Sequence, residues 1–267
     1  MSQSHPVRSV NITYIGGPTA LIEIGSLRFM TDPTFDPPGV HPVGDRVLTK
    51  LVGPALPLEK CLPVDVVLLS HDQHPDNLDS LGREALTKVP LVLTTGSAHK
   101  RLEGHAQTLP NWESTTLSGQ DGSVVKVTGV PALHGPEGAE VFAGEVTGFV
   151  LSGVDIPTIY ISGDNASLDI VRTIRERIGV VDIAILFAGA AQTALLNGSD
   201  LTLTSDLAAE AAQILEAEYV VPLHFEHWAH FTQGKESLRS TFREKGIGNK
   251  LHVLELGKRT KFEVAED

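Results

Sequence analysis

Within eight residues, Ser70-His71-Asp72-Gln73-His74-Pro75-Asp76-Asn77, the chain gathers two imidazoles, two carboxylates and two amides. Imidazole with carboxylate suits a borderline divalent ion such as Zn²⁺, Mn²⁺ or Fe²⁺. The same residue types also favour turns, so composition alone leaves a metal site and a polar turn both open. Position adds to the case. The cluster follows the apolar run 64–69, at the carboxyl end of an expected strand, where α/β sheets build their sites.

The arrangement recurs. The run 124–133 ends in His134-Gly135-Pro136, the run 157–162 in Gly163-Asp164-Asn165, and the run 219–223 in His224. Earlier, 27–31 ends in Asp32-Pro33, where a carboxylate could hold a ligating imidazole from behind. A set of strand ends that each deliver a ligand points to one metal centre on one rim.

In this order the residues resemble the metallo-β-lactamase superfamily, whose motifs are an early Asp, a His-x-His-x-Asp-His cluster, a lone His, a bridging Asp and a final His. Asp32, residues 71–77, His134, Asp164 and His224 fill those places. Ile12-Thr13-Tyr14-Ile15-Gly16-Gly17-Pro18-Thr19-Ala20-Leu21-Ile22-Glu23 and Thr31-Asp32-Pro33 are similar to the first hairpin of one branch. That branch includes ascorbate-phosphate lactonases and phospholipase-D-type enzymes acting on N-acyl phosphatidylethanolamines. The resemblance runs from about Val10 to about Leu256. It implies an α/β fold, a four-layer αββα sandwich, and a metal-dependent hydrolase.

By resemblance, His71, His74 and His134 hold the first ion, Asp164 bridges, and Asp76, Asn77 and His224 offer a second position. The ion expected is Zn²⁺ or Mn²⁺. The expected chemistry is attack by a metal-bound hydroxide on a lactone or other carboxylic ester, or on a phosphodiester. Asp76 would orient the attacking group and His230 protonate the leaving one. Asp32 and Gln73 would support the ligands from outside the coordination sphere.

Two departures from the motif matter. His71 and His74 stand three residues apart with Gln73 between them, so either one residue is inserted or an ungapped alignment puts Asp72 in the first histidine's place. Asn77 replaces the cluster's last histidine. An amide oxygen is the weaker ligand, so one tight ion and a second weak or absent one are expected. The rival reading is a non-catalytic metal- or ligand-binding protein on a degraded scaffold.

The elements that must position these groups are legible in outline. Strands at 12–15, 20–24 and 27–30 surround Gly16-Gly17-Pro18 and Gly25-Ser26. Residues 35–63, with Pro37, Pro38, Pro42, Pro54, Pro57 and Pro63, read as surface loop shaping the site entrance. A helix over 79–87 starts at Asp79 or Ser80, and strands follow at 90–94 and 124–130. Further strands are expected at 148–151, up to Ile161, at 182–187 and at Val220-Val221. Helices should cover 168–177, Thr204 or Ser205 to Ala217, and 235–245. The whole, 1–267, reads as one domain of two similar halves, 10–147 and 148–256.

Other histidines carry less. Phe225 and Trp228 read as core or rim packing, His227 as a surface or packing group, and His99 and His105, in a polar stretch with Lys100 and Arg101, as solvated. His5, His41 and His252 have no constellation, and Asn197-Gly198-Ser199 reads as a turn.

At 267 residues with 41% hydrophobic content and a net charge of −12, the chain can bury a large core and repels nucleic-acid backbones. A small-molecule substrate, anionic ones included, is the expected partner. Cys61 stands alone, residues 1–6 lack the blocks of a signal peptide, and no apolar stretch approaches a membrane span, so cytoplasm is the expected location. No Gly-x-Ser-x-Gly elbow, phosphate-cradling loop or dinucleotide fingerprint appears.

Overall fold

A computed structural model describes residues 7–265. The stretch 1–6, read above for a leader and containing His5, lies outside them. The chain opens with an antiparallel meander, β1 (Val7–Gly16), β2 (Thr19–Ile24) and β3 (Leu27–Thr31). Gly17 and Gly25 take positive φ at its two turns, a conformation glycine adopts without a Cβ penalty. Next come a hairpin, β4 (Gly39–Val43) and β5 (Arg46–Lys50), and a single helical turn, α1 (Leu58–Cys61). The region 35–63 is therefore not plain loop: its prolines bound a two-stranded flap, with Pro42 facing Val47 across an isolated sheet.

The chain continues through β6 (Val66–Leu68), α2 (Ser80–Leu86), β7 (Leu91–Thr94), α3 (Gly96–Arg101) and β8 (Gln107–Thr108). Asp79 caps α2 by accepting from Gly82 N, the expected signal. Of the two histidines expected to be solvated, His105 is exposed, while His99 lies half-buried on the short helix α3, capped by Thr95, with its Nδ1 donating to Ala106 O. The second sheet then builds from β9 (Ser114–Ser118), β10 (Val124–Pro131), α4 (Glu140–Ala143), β11 (Thr147–Gly153), β12 (Ile156–Ile161) and α5 (Leu168–Ile178). It ends with β13 (Ile183–Phe187), α6 (Ser205–Ile214), β14 (Tyr219–Leu223) and α7 (Lys235–Glu244). A last strand, β15 (Arg259–Ala265), pairs antiparallel with β1.

Two sheets result, ordered β15-β1-β2-β3-β6-β7-β8 and β14-β13-β12-β11-β10-β9. Alternation along the first explains the layering. Ile22, Phe29, Leu68 and Leu93 join a core shared with the second sheet, while their neighbours Leu21, Met30, Val67 and Val92 pack with Ala85, Leu86 and Ala98 of α2 and α3. Such a period of two puts successive side chains on opposite faces. In the second sheet β13 is buried at every position, as a parallel strand covered on both faces must be. Its helices contribute Ile174, Ala208 and Phe242 to the same core. The architecture is the αββα sandwich.

The chain passes from the first sheet to the second between Thr108 and Ser114, ahead of the 147/148 division expected from sequence, and returns to the first with β15. Both differences have one cause. Strands β9 and β15 sit on sheet edges, and their polar alternation, Ser114-Thr115-Thr116 and Arg259-Thr260-Lys261, lacks an apolar run.

Candidate metal centre

Every expected ligand lies just beyond a strand of the two facing sheets. His71 follows β6, His134 follows β10, Asp164 follows β12, and His224 follows β14. Gly163 turns the chain at φ +56°, and a Cβ there would stand 2.6 Å from the Thr147 carbonyl. Thr147 N in turn donates to Ser70 O at 3.1 Å, tying the loops of the two sheets together. His224, at φ 54°, donates its backbone N–H to Gly17 O at 2.7 Å, which pins the last imidazole to the first hairpin.

His71, His74, His134 and Asp164 bring one donor atom each to within 4.8 Å of all the others. His71 Nε2 is 3.0 Å from His74 Nδ1, and Asp164 Oδ2 is 3.5 Å from His134 Nε2 and 3.9 Å from His71 Nε2. Ligands around a tetrahedral ion stand roughly 3.3 Å apart, so little movement would close the set. Beside it, His224 Nε2 lies 3.4 Å from Asp164 Oδ1 and 3.3 Å from Asp76 Oδ2, and His230 Nε2 lies 3.0 Å from the same Asp76 oxygen.

The donor set fits a cation on a second ground. Asp164 Oδ1, Asp76 Oδ1, Asn77 Oδ1, both nitrogens of His224 and Nδ1 of His230 are buried without a hydrogen-bond partner among the described residues. Each such orphan costs about 1–3 kcal/mol. Orphans gathered on a rim of carboxylates and imidazoles are what a divalent ion would satisfy.

The outer contacts orient the rings. Ser70 Oγ donates to Asp32 Oδ2 at 2.6 Å and stands 2.9 Å from His71 Nδ1, so an Nδ1–H donated to Ser70 leaves Nε2 free for the cluster. Asp32 thus reaches the imidazole through Ser70, not directly. It also accepts from Ser70 N at 2.6 Å and from Asn77 Nδ2 at 3.0 Å. His134 Nδ1 donates to Leu201 O at 2.8 Å, again freeing Nε2. Ser70 had no role in the sequence reading, although a hydroxyl directly before the first ligand was its only signal.

Asp72 is turned away from the donors. Its carboxylate accepts from Arg101 Nε at 2.9 Å and lies 3.8 Å from Arg83. The geometry therefore puts His71, not Asp72, in the cluster, and pairs the buried Asp72 with the partly exposed Arg101. The Gln73 amide lies over Gly144, and its Oε1 has no hydrogen-bond partner among the described residues. Its expected support of the ligands is not seen as a hydrogen bond. Trp228 is buried, as expected of a packing group, and His227, for which surface and packing are both open, is buried too.

Electrostatics agree with neutral imidazoles at the cluster. Burial pushes His71 well down, and the neighbouring His74 and His134 add to it. His74 falls to about 4, through burial first and then His134, with Arg46 a smaller contributor. Metal ligation requires this unprotonated form. Burial pushes Asp32 up to about 7 against the donors on Ser70. For Asp76 burial acts upward, but His230 and His224 outweigh it and hold the carboxyl well below its usual range. His224 is raised because Asp164 and Asp76 outweigh its own burial.

A pocket leads to His74, Asp76, His134 and His230. Its walls come from β5, α4 and the 3-10 turn Ala194–Leu196. No helix among the described residues is long and apolar enough to cross a membrane.

Comparison with known proteins agrees with this geometry. Residues 27–225 match the family described as the β-lactamase superfamily domain. A UPF0173 metal-dependent hydrolase of Pyrococcus furiosus is 24% identical over 240 residues, covering 88% of this chain and 93% of its own. Among solved structures, isothiocyanate hydrolase from Delia radicum gut bacteria superposes with a TM-score of 0.79 at 22% identity, covering 95% of this chain and 100% of its own. The metallo hydrolase Igni18 of Ignicoccus hospitalis gives 0.71 at 20%, covering 96% and 99%. With its family match spanning most of the chain and its sheets in the metallo-β-lactamase arrangement, the protein belongs to the β-lactamase superfamily.

Proposed function

We propose that this protein is a metal-dependent hydrolase of a lactone or other carboxylic ester, with a phosphodiester as the second candidate. The observation that carries the reading is the convergence of the buried His71, His134 and Asp164 and the half-buried His74, beside orphaned carboxylate and imidazole atoms at the end of a pocket. The metal-dependent hydrolases among its relatives support it.

In this reading those four residues hold one Zn²⁺ or Mn²⁺ tightly. Asp164, Asp76, His224 and the weaker amide oxygen of Asn77 offer a second ion a poorer position. Such an ion supplies Lewis acidity, polarising the oxygen of the bond under attack and acidifying water beside it. Asp76 aims the attacking water and takes up its proton. His230, 3.0 Å from Asp76, delivers a proton to the departing oxygen. Asp32 and Ser70 keep the His71 ring in place. The largely apolar wall favours an ester or lactone, because a phosphodiester would give up hydration of its charge against it.

Elemental analysis of the purified protein, followed by a panel of lactones, carboxylic esters and phosphodiesters with and without a chelator, tests the proposal. An isothiocyanate belongs in the panel because one fold neighbour is an isothiocyanate hydrolase. About one retained ion and chelator-sensitive turnover are expected. Bound metal without turnover over the whole panel would favour the binding-protein reading, and no metal after incubation with Zn²⁺ or Mn²⁺ would end both.

A further inference from the structure

The pocket leading to the cluster joins a polar floor to a wall of Leu48, Phe142, Leu195, Leu196 and Leu201. Phe142 and Leu195 line it from different elements, yet remain 60% and 53% exposed. Large apolar groups converging on one mouth from separate elements mark a surface that something covers. Within this wall Arg46 is the one lysine or arginine. Its Nη1 donates to Thr193 Oγ1 at 2.8 Å, and the same hydroxyl caps the turn that carries Leu195. The guanidinium is thus fixed at the wall, and among the described residues no carboxylate pairs with it. In a chain of net charge −12, a fixed and unpaired guanidinium beside the reaction floor is a receptor for an anion. Its planar fork matches a carboxylate or phosphate.

Resting on the hydrolase reading, we propose that the substrate is an amphiphile: an anionic group held by Arg46 and an apolar body laid along Leu48, Phe142, Leu195, Leu196 and Leu201. Arg46 is then the residue that selects charged over neutral molecules of the same length, and the wall selects long chains over short ones.

Binding of butanoate, octanoate, octyl phosphate and octanamide, measured by calorimetry on the metal-loaded protein, tests this without turnover. Octanoate should bind more tightly than butanoate, by up to about fourfold for each methylene buried. Arg46→Gln should weaken octanoate or octyl phosphate by about tenfold and octanamide by less than twofold. The more strongly affected of the two anions identifies the headgroup. Arg46→Lys should fall between, because it keeps the charge and loses the fork. Equal losses for octanoate and octanamide would make Arg46 a mere brace for Thr193. No loss for either anion would mean the metal alone holds it. Failure of the wild type to bind any probe overturns the proposal as well. Turnover of the wild type is read separately. Octanoate bound through Arg46 with no ester hydrolysed would sink the hydrolase reading alone, and ester hydrolysis with no effect of Arg46 on binding would sink this one alone.

Discussion

Around His71 and His134 the ring nitrogens that face away from the cluster are tied down, to Ser70 Oγ and to Leu201 O. Around the adjoining group they are not: Nδ1 of His224 and Nδ1 of His230 have no partner among the described residues. An imidazole anchored at one nitrogen presents the other in a fixed tautomer and direction, which is how outer contacts raise metal affinity. The first group is therefore organised before an ion arrives. The second is held mainly by its mutual attraction, His224 and His230 both lying on one Asp76 oxygen. Two positions a few ångströms apart, sharing Asp164, should thus differ strongly in affinity.

The largest effects should come from the organised side. His134→Ala removes one of three imidazoles and with it the geometry, so affinity for the tight ion should drop by about a hundredfold or more. Elemental analysis after dialysis reads the result. His71→Ala should match it. Asp72→Ala should retain the ion and instead lower stability by about 1 kcal/mol, because it breaks a pair with the partly exposed Arg101. Metal lost in Asp72→Ala and kept in His71→Ala would overturn the arrangement of the cluster.

Asp164 is the point where the two sides meet, Oδ2 facing His134 and Oδ1 facing His224. Asp164→Asn keeps the shape and removes the charge. Under the proposed function it should reduce turnover by on the order of a hundredfold, with little change in binding of the uncleaved ester. Parallel losses in both would show that Asp164 acts on substrate rather than on the centre.

Ser70→Ala tests the anchoring itself, since it cuts the link from Asp32 to His71 without touching a donor. Loss of such a contact lowers metal affinity by about 10- to 100-fold. Titration with a competing chelator measures it. An unchanged affinity would mean that packing alone aims the His71 ring, and the contrast between the two sides would lose its basis.

The order of the candidate donors is readable because apolar runs end in them, and burial of both sheet faces forces such runs. Sequence also found the cap at Asp79 and helices α5 to α7; α5 and α6 combine apolar spacing with a capping side chain, whereas α7 starts at Gly234 without one. What it missed has no local pattern. The flap β4–β5 is short, contains Pro42, and is held to the body by groups distant in sequence, among them a buried pair of Lys50 and Asp79, 3.0 Å apart and 29 positions distant, and the bond from Arg46 to Thr193. The pairing of Arg101 with Asp72 likewise has no local signal, because 29 positions separate them. Choosing between His71 and Asp72 needed the turn's geometry, which spacing alone leaves open.

The smallest effect belongs to Asn77, where the motif departs from its family. Its Nδ2 is committed to Asp32 at 3.0 Å, and only Oδ1 is left over for the second position. An amide oxygen is neutral and contributes little to holding a transition metal. Asn77→Ala should therefore weaken a second ion by only a few-fold, roughly threefold, while the loss of the hydrogen bond to Asp32 costs about 1 kcal/mol of stability. Asn77→Asp supplies a stronger ligand type but sets a second carboxylate against Asp32, whose own ionisation burial already opposes. Like charges that close disfavour each other's charged form, so Asn77→Asp should give no tighter second ion. Binding isotherms for Zn²⁺ and Mn²⁺ with the first site filled measure both variants. A second ion bound tenfold more tightly by Asn77→Asp would show that the weak side lacks only a ligand, not an anchor.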